Sequence, residues 1–356
     1  MNLRWLMAFW ITLRKSCAVR SRRNNSLSNE KARPNEFEII NKYFAPLCKS
    51  EPGAFNLTDD AAIMDPPAGQ SLVVTTDALV ADVHFFPADP AHDIAAKLLR
   101  VSLSDLASMG AVPAHYTLSI AVPPEQNAAW FIAFSQGLAE NQSEFEITMI
   151  GGDTVSTPGP LTLSLTAIGY IEKGKGLRRN GAQAGDSVWV SGTIGDGALG
   201  LLAAENKIPN LSNDDCEYLI QCYRQPIPRT RLGPNLIDIA HAVIDISDGL
   251  VADLGHICET SGVGADIQII DIPLSKAARS ALAKNPDLLD LILGGGDDFE
   301  LLFTTEQNFA ETANDLTDKS GVALTKIGEI KQSRTIRLID RDGNEYTLHQ
   351  KGFTHF

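Results

Sequence analysis

Apolar positions recur along this chain with two alternating periods, and the alternation predicts a mixed α and β protein built in two halves. Near the start Phe37, Ile40 and Phe44 fall at helical spacing, which Pro46 ends. The run SLVVTT at residues 71–76 predicts a strand, residues 93–109 a helix, 116–122 a strand and 127–140 a helix. A further strand at 147–150 leads into Gly151 and Gly152, and residues 161–171 read as another, largely apolar one. The stretch from Glu172 to Gly185, EKGKGLRRNGAQAG, is rich in glycine and charge and has no period. It places a linker at residues 173–185, between a first domain at 34–172 and a second at 186–356. The second half resumes the alternation with a strand at 187–191, helices at 198–205 and 214–223, a strand at 242–246, a helix at 250–259, and strands at 301–304 and 335–340.

A length of 356 residues is more than one hydrophobic core usually organises, so composition supports the same division. Residues 1–33 are the exception: a short apolar run at 6–13, then a basic, Ser/Asn-rich stretch. That run is too short to cross a bilayer. The preferred reading is an extension outside the fold, expected to be disordered; a targeting peptide or a surface-binding helix is the alternative.

Net charge is −14, yet Arg4, Arg14, Lys15, Arg20, Arg22 and Arg23 all precede the first acidic residue, Glu30. The body is therefore more acidic than the total. Such a surface repels a phosphate backbone, and beyond this tail no basic stripe stands out, so neither nucleic acid nor membrane is an expected partner. Cys17, Cys48, Cys216, Cys222 and Cys258 form no CxxC pair and no regular spacing with histidine, which argues against a zinc site or a disulfide framework and fits a reducing cytoplasm.

Candidate chemistry lies where apolar strands end in small residues and aspartate: VVTTDA, MIGGDT, VIDISDG and LGGGDDFE. Carboxylates beside glycines that let a ligand approach the backbone are one way to build a magnesium–phosphate site. The candidates are Asp59, Asp60, Asp77, Asp153, Asp245, Asp248, Asp297 and Asp298. One aspartate beside a glycine is more often a turn former or a helix cap; the repetition is what points to metal. Asp105 follows Ile94, Leu98 and Val101 at helical spacing, opposite a face carrying Asp93, Lys97, Arg100 and Ser104, so it points inward. An inward carboxylate needs a metal, a basic partner or a proton.

Three tempting patterns carry less. Gly169 to Gly176 matches GxxxxGK but has Gly176 where a P-loop needs a hydroxyl. Gly195, Gly197 and Gly200 make a GxGxxG after a strand, which reads better as a turn for close helix packing than as a dinucleotide fingerprint. Ser247 lies in no GxSxG elbow, and a lone His84 proves nothing by itself.

Taken together, DDAA at 59–62, TTD at 75–77, HF at 84–85, LSDLASMGA at 103–111, IGGDT at 150–154, IDISDGL at 244–250, GGGDDFEL at 294–301 and the closing GFTHF resemble the thiamine-monophosphate kinase family in order and spacing. The resemblance runs from about Glu36 to the C-terminus. It implies an α+β, two-domain fold similar to aminoimidazole ribonucleotide synthetase, with the active-site cleft between the domains, and a homodimer formed through the first. The implied reaction is direct transfer of the γ-phosphoryl group of ATP to thiamine phosphate, giving thiamine diphosphate in the cytoplasm. On matching positions, Asp60, Thr75, Thr76, Asp77, Asp105, Asp153, Asp245 and Asp248 are implied ligands of several Mg2+ ions. Gly152, Asp153, Arg179 and Ser247 are implied ATP contacts, and His84, Asp297 and Gln350 implied thiamine-phosphate contacts. No general base is implied, because the acceptor oxygen is already ionised.

The sequence departs from the family in three places. Asn56 to Thr58 stand where many relatives have GIG, Asp297 is one methylene shorter than the usual glutamate, and Gln350 replaces an aromatic ring. Two competing readings are another ATP-dependent synthetase of the same superfamily and a non-catalytic magnesium- or nucleotide-binding protein. Cys48 lies in no glycine-rich or basic setting, which counts against selenophosphate chemistry.

Overall fold

The computed structural model describes residues 33–349. The expected extension up to residue 32, Gln350 and the closing segment lie outside the described residues.

The first unit begins with a helical turn, α1 (Glu36–Ile39), capped reciprocally by Asn35 and Glu38. The chain then tightens into a π turn at Ile40–Phe44 and a 3₁₀ turn at Ala45–Cys48, with Pro46 in its first turn. The single helix expected there is thus three short pieces. Next come β1 (Gln70–Val80), α2 (Ala91–Ser108), β2 (Val112–Val122), α3 (Ala128–Phe145), β3 (Thr148–Ser156) and β4 (Thr162–Glu172). The strands form one sheet in the order β1-β4-β2-β3, with only β2 and β3 parallel. β1 outruns its apolar core because it pairs with β4 along its whole length, from Gln70 opposite Glu172 to Val80 opposite Thr162. β3 likewise continues through Gly151, Gly152 and Asp153, held beside β2. In β3 the ladder imposes extension on glycines and an aspartate whose own preference is for turns.

One face of this sheet is covered by α2 and α3, which bury Leu98, Leu103, Leu106, Phe131, Phe134 and Leu138 against Leu118, Ile120, Leu163 and Leu165. The other face carries Leu72, Val74 and Val155, each about half exposed or more (51, 58 and 49%).

The second unit contains β5 (Ser187–Ser191), α4 (Asp196–Ala204), α5 (Asn213–Arg224), β6 (Ala242–Asp245), α6 (Leu250–Ser261), β7 (Gly264–Gln268), α7 (Lys276–Lys284), α8 (Leu288–Gly294), β8 (Leu301–Thr305), α9 (Ala310–Ser320), β9 (Leu324–Lys331), β10 (Ile336–Ile339) and β11 (Glu345–Tyr346). Its sheet runs β11-β10-β7-β9-β5-β8-β6, antiparallel except for β10 with β7. The GxGxxG does open a helix, α4. A side chain at Gly200 would fall on the Leu219 carbonyl of α5, so this glycine sets how closely the two helices pack.

Helix α2 positions the site. Its apolar face packs on the first sheet, while its opposite face meets the second unit, where Lys97, Arg100 and Ser104 are buried. Arg100 reaches the Pro226 carbonyl at 3.2 Å, Asn141 at 2.7 Å and Glu144 at 2.7 Å. Nearby, Arg224 binds Asp89 at 2.7 Å and Gln225 binds Asp93 at 2.7 Å. The polar face that periodicity defines is thus an internal seam between the two units.

Candidate active site

Three carboxylates meet on that seam, each from a different element. Thr75 and Asp77 point from β1 to the α2 side of the sheet, since alternate residues of a strand share a face. The Thr75 hydroxyl donates to Asp105 of α2. Adjacent Ser104 donates to Asp245, the last residue of β6, at 2.7 Å. Thr76 points the other way, where its hydroxyl pairs with Thr166 at 2.8 Å, so its side chain does not join Thr75 and Asp77.

The charge of Asp105 raises the carboxyls of its two neighbours. Burial, and then the charge of Asp105, push the Asp77 carboxyl up to about 6 against the opposing effect of the Ser102 hydroxyl. Burial and the same neighbour raise Asp245, and burial raises Asp105 against the opposing effects of Thr75 and Arg179. Asp77 Oδ2 is buried with no hydrogen-bond partner among the described residues. An unpartnered oxygen beside two further carboxylates fits a hard divalent cation, whose preferred donors are oxygens and whose charge offsets the repulsion.

A pocket of about 520 Å³ opens beside this cluster, and its polar lining includes Asp77, His84, Lys97, Ser247, Asp248 and Asp297. Leu79, Val101, Leu201, Leu291 and Phe299 form its apolar walls. His84 Nδ1 accepts the Val80 amide at 3.1 Å, which leaves the ring proton of a neutral imidazole on Nε2. The loop after β6 is fixed by Asp253, whose carboxylate accepts the amides of Ser247, Asp248 and Gly249 at 3.0–3.1 Å. The GGGDDF loop is stitched to it: the Asp297 amide donates to the Ser247 carbonyl at 2.9 Å and the Phe299 amide to Ile246 at 2.8 Å. A Cβ at Gly296 would strike the Ser247 carbonyl, so only glycine allows this approach.

Other candidates lie elsewhere. Asp298 turns away from Asp297 and accepts the amides of Gly195 and Gly197 at 2.8 and 3.0 Å, fully within the second unit. It is a cap for the α4 turn rather than a cleft ligand, and burial raises its carboxyl well above the usual range. Asp59, Asp60, Gly152 and Asp153 line a separate pocket of about 220 Å³. Asp60 and Asp153 are exposed there. Arg179 is also exposed, near enough to Asp105 for its charge to oppose the carboxyl's rise.

Sequence reasoning missed Lys97 and Tyr223 as cleft residues. Lys97 Nζ lies 2.8 Å from Asp297 Oδ2 and 3.6 Å from the Tyr223 ring centroid, and the Tyr223 hydroxyl donates to the His84 carbonyl at 3.2 Å. The available signal was a lysine on the polar face of the helix that carries Asp105.

Both units match known domain families. The AIR synthase related protein N-terminal domain matches residues 58–171 and the corresponding C-terminal domain residues 183–341, so the chain is a two-domain protein of the AIR synthase related class. The thiamine-monophosphate kinase of Salmonella typhimurium is 40% identical over 323 residues, covering 90% of this chain and 98% of that one. The chain belongs to the thiamine-monophosphate kinase family. Among solved structures, thiamine-monophosphate kinase from Stenotrophomonas maltophilia K279a superposes with a TM-score of 0.74 at 42% identity, covering 82% of this chain and 91% of that chain. AaThiL complexed with AMPPCP and TMP gives a TM-score of 0.71 at 27% identity, covering 86% and 98%.

Proposed function

We propose that the cleft transfers the γ-phosphoryl group of ATP to the phosphate of thiamine phosphate, giving thiamine diphosphate. The observation that carries this reading is the meeting of Asp77, Asp105 and Asp245, with an unpartnered Asp77 oxygen, beside a pocket lined by both polar and apolar residues. Family membership and the ligands named for AaThiL support the choice of substrates.

Asp77, Asp105, Asp245, Asp248 and Thr75 would hold magnesium at the seam, and Asp60 and Asp153 would extend the set on the nucleotide side. Magnesium supplies neutralisation of phosphoryl oxygens when bound. Thr76 belongs to this set only through its backbone. Gly152, Asp153, Arg179 and Ser247 would position ATP. His84 and Asp297 would face thiamine phosphate. The chain's own residues orient two anions and need remove no proton.

The open sheet face with Leu72, Val74 and Val155 supports a homodimer through the first domain, taken as residues 34–172, with 173–185 as linker and 186–356 as second domain. Among the described residues no helix is long and apolar enough to cross a membrane. We place the reaction in the cytoplasm, where Cys48, Cys216, Cys222 and Cys258, free in the structure, stay reduced.

A coupled ADP-release assay with ATP and magnesium, offering thiamine phosphate, thiamine and aminoimidazole precursors separately, tests the reading. Turnover confined to thiamine phosphate is expected; ADP release only with an aminoimidazole precursor, or with none, would overturn it.

Magnesium binding should also release protons. A carboxylate must be unprotonated to ligate, and Asp77 rises to about 6 with Asp245 raised beside it. Affinity therefore increases as pH rises through this range. Calorimetric titration with magnesium at pH 6 and pH 8, in buffers of different ionisation enthalpy, should show more protons released at pH 6; equal release at both would count against these ligands.

A further inference from the structure

Among the described residues lining the cleft pocket, Lys97 is the one lysine or arginine, against three carboxylates, Asp77, Asp248 and Asp297. Its side chain is 3% exposed, and it comes from α2 in the first unit while Asp297 comes from the second. An ammonium has three N–H donors in a roughly tetrahedral arrangement. One goes to Asp297 Oδ2, and another side of the ammonium lies over the Tyr223 ring. At least one donor is left.

Such a charge is costly to keep this deep for an ion pair alone, since Asp297 is itself 36% exposed and able to find water. A pocket whose other charged side chains are carboxylates also repels a phosphate monoester unless a cation faces it. Lys97 answers both needs. Tyr223 and Asp297 hold the ammonium from two sides, so it reaches an incoming anion without first losing the freedom of a long side chain.

Resting on the kinase reading above, we propose that Lys97 reads the phosphate of the acceptor and is the residue that makes the site prefer thiamine phosphate to free thiamine. Asp297 sets its position. In the substrate complex the ammonium donates to a phosphate oxygen while keeping its bond to Asp297. Lys97 is a specificity residue by this account, not a proton carrier, and no covalent step passes through it.

The experiment is direct binding of thiamine phosphate and of thiamine to the full chain, with magnesium and a non-hydrolysable ATP analogue present. Wild type, Lys97→Met, Lys97→Arg and Asp297→Asn are compared. Lys97→Met should weaken thiamine phosphate on the order of 10- to 100-fold, the loss of one charge-assisted hydrogen bond. Thiamine binding should change by no more than about twofold. Lys97→Arg should recover part of the preference, and Asp297→Asn should retain it, because the ammonium is still present.

A purely structural lysine would weaken both ligands together, and that result, or an unchanged preference in Lys97→Met, would overturn the proposal. Affinity for the ATP analogue reports whether each variant has folded. If Lys97→Met does not fold, Lys97→Gln decides, since it keeps a polar head on a shorter stem without the charge: an unchanged preference there would overturn the role of Lys97. A wild type that neither binds nor turns over thiamine phosphate would overturn the kinase reading itself, an outcome visible before any variant is examined.

Discussion

Asp105→Asn is expected to lower kcat for phosphoryl transfer by at least about 100-fold, the usual scale for removing one group that fixes transition-state charge. The metal-free variant should melt no lower than wild type. Both effects have one origin. The charge of Asp105 raises Asp77 and Asp245, so its carboxylate destabilises both when no cation is bound. Asparagine keeps an oxygen for the Thr75 hydroxyl and removes the repulsion, while the metal loses a charged ligand. Steady-state kinetics at saturating ATP, with thermal melts in chelator and in magnesium, separate the two. Magnesium should raise the midpoint of wild type more than that of the variant. Turnover unchanged at limiting magnesium would sink the assignment.

Arg229→Met is expected to cost about 3–5 kcal/mol of stability, as removal of one member of a buried ion pair usually does. Arg229 forks onto Glu300, whose second oxygen also takes the Ser191 hydroxyl at 2.5 Å, and the two side chains are 18 and 6% exposed. Methionine fills much of the volume but leaves a carboxylate in the second core. Glu300 is the last residue before β8 and directly follows Asp297, Phe299 and the capping Asp298. The loop that faces the cleft should therefore loosen together with the core. Denaturant unfolding followed by tryptophan fluorescence would measure the loss, and a loss below about 1 kcal/mol, the scale of an exposed pair, would show that water reaches Glu300.

How much of this was legible depended on whether local sequence or long-range pairing decided an element. Helix α2 and strand β4 were read within two residues at each end, because their apolar periods are long and uninterrupted. Helices α7, α8 and α9 and strands β7, β9 and β11 were not read at all. Strand β9 carries two lysines and three apolar residues in no clean alternation and is held in place by β5 and β7. The extensions of β1 and β3 through threonine, glycine and aspartate were hidden for the same reason: the partner strand is far away in sequence.

The site divides in a similar way. The inward aspect of Asp105 follows from helical spacing, and its company with Thr75, Asp77 and Asp245 is what the motifs implied. Asp298 looked equivalent to Asp297, yet a reversal of one residue in a chain with positive φ at Asp297 and Phe299 sends it to the opposite side. Lys97 carried no motif. Its role arises only because a second domain covers the polar face of α2, and nothing in the helix itself announces that cover.

The double grip on α2 also bears on how the enzyme empties itself. One helix supplies the carboxylate at the seam and the lysine in the pocket, with core on one side and the Asp93, Lys97 and Arg100 contacts on the other. Spreading the two halves apart would break these contacts at once, so that helix is a keel and not a hinge. Any opening of the cleft by separation of the halves is therefore opposed by all of these contacts together.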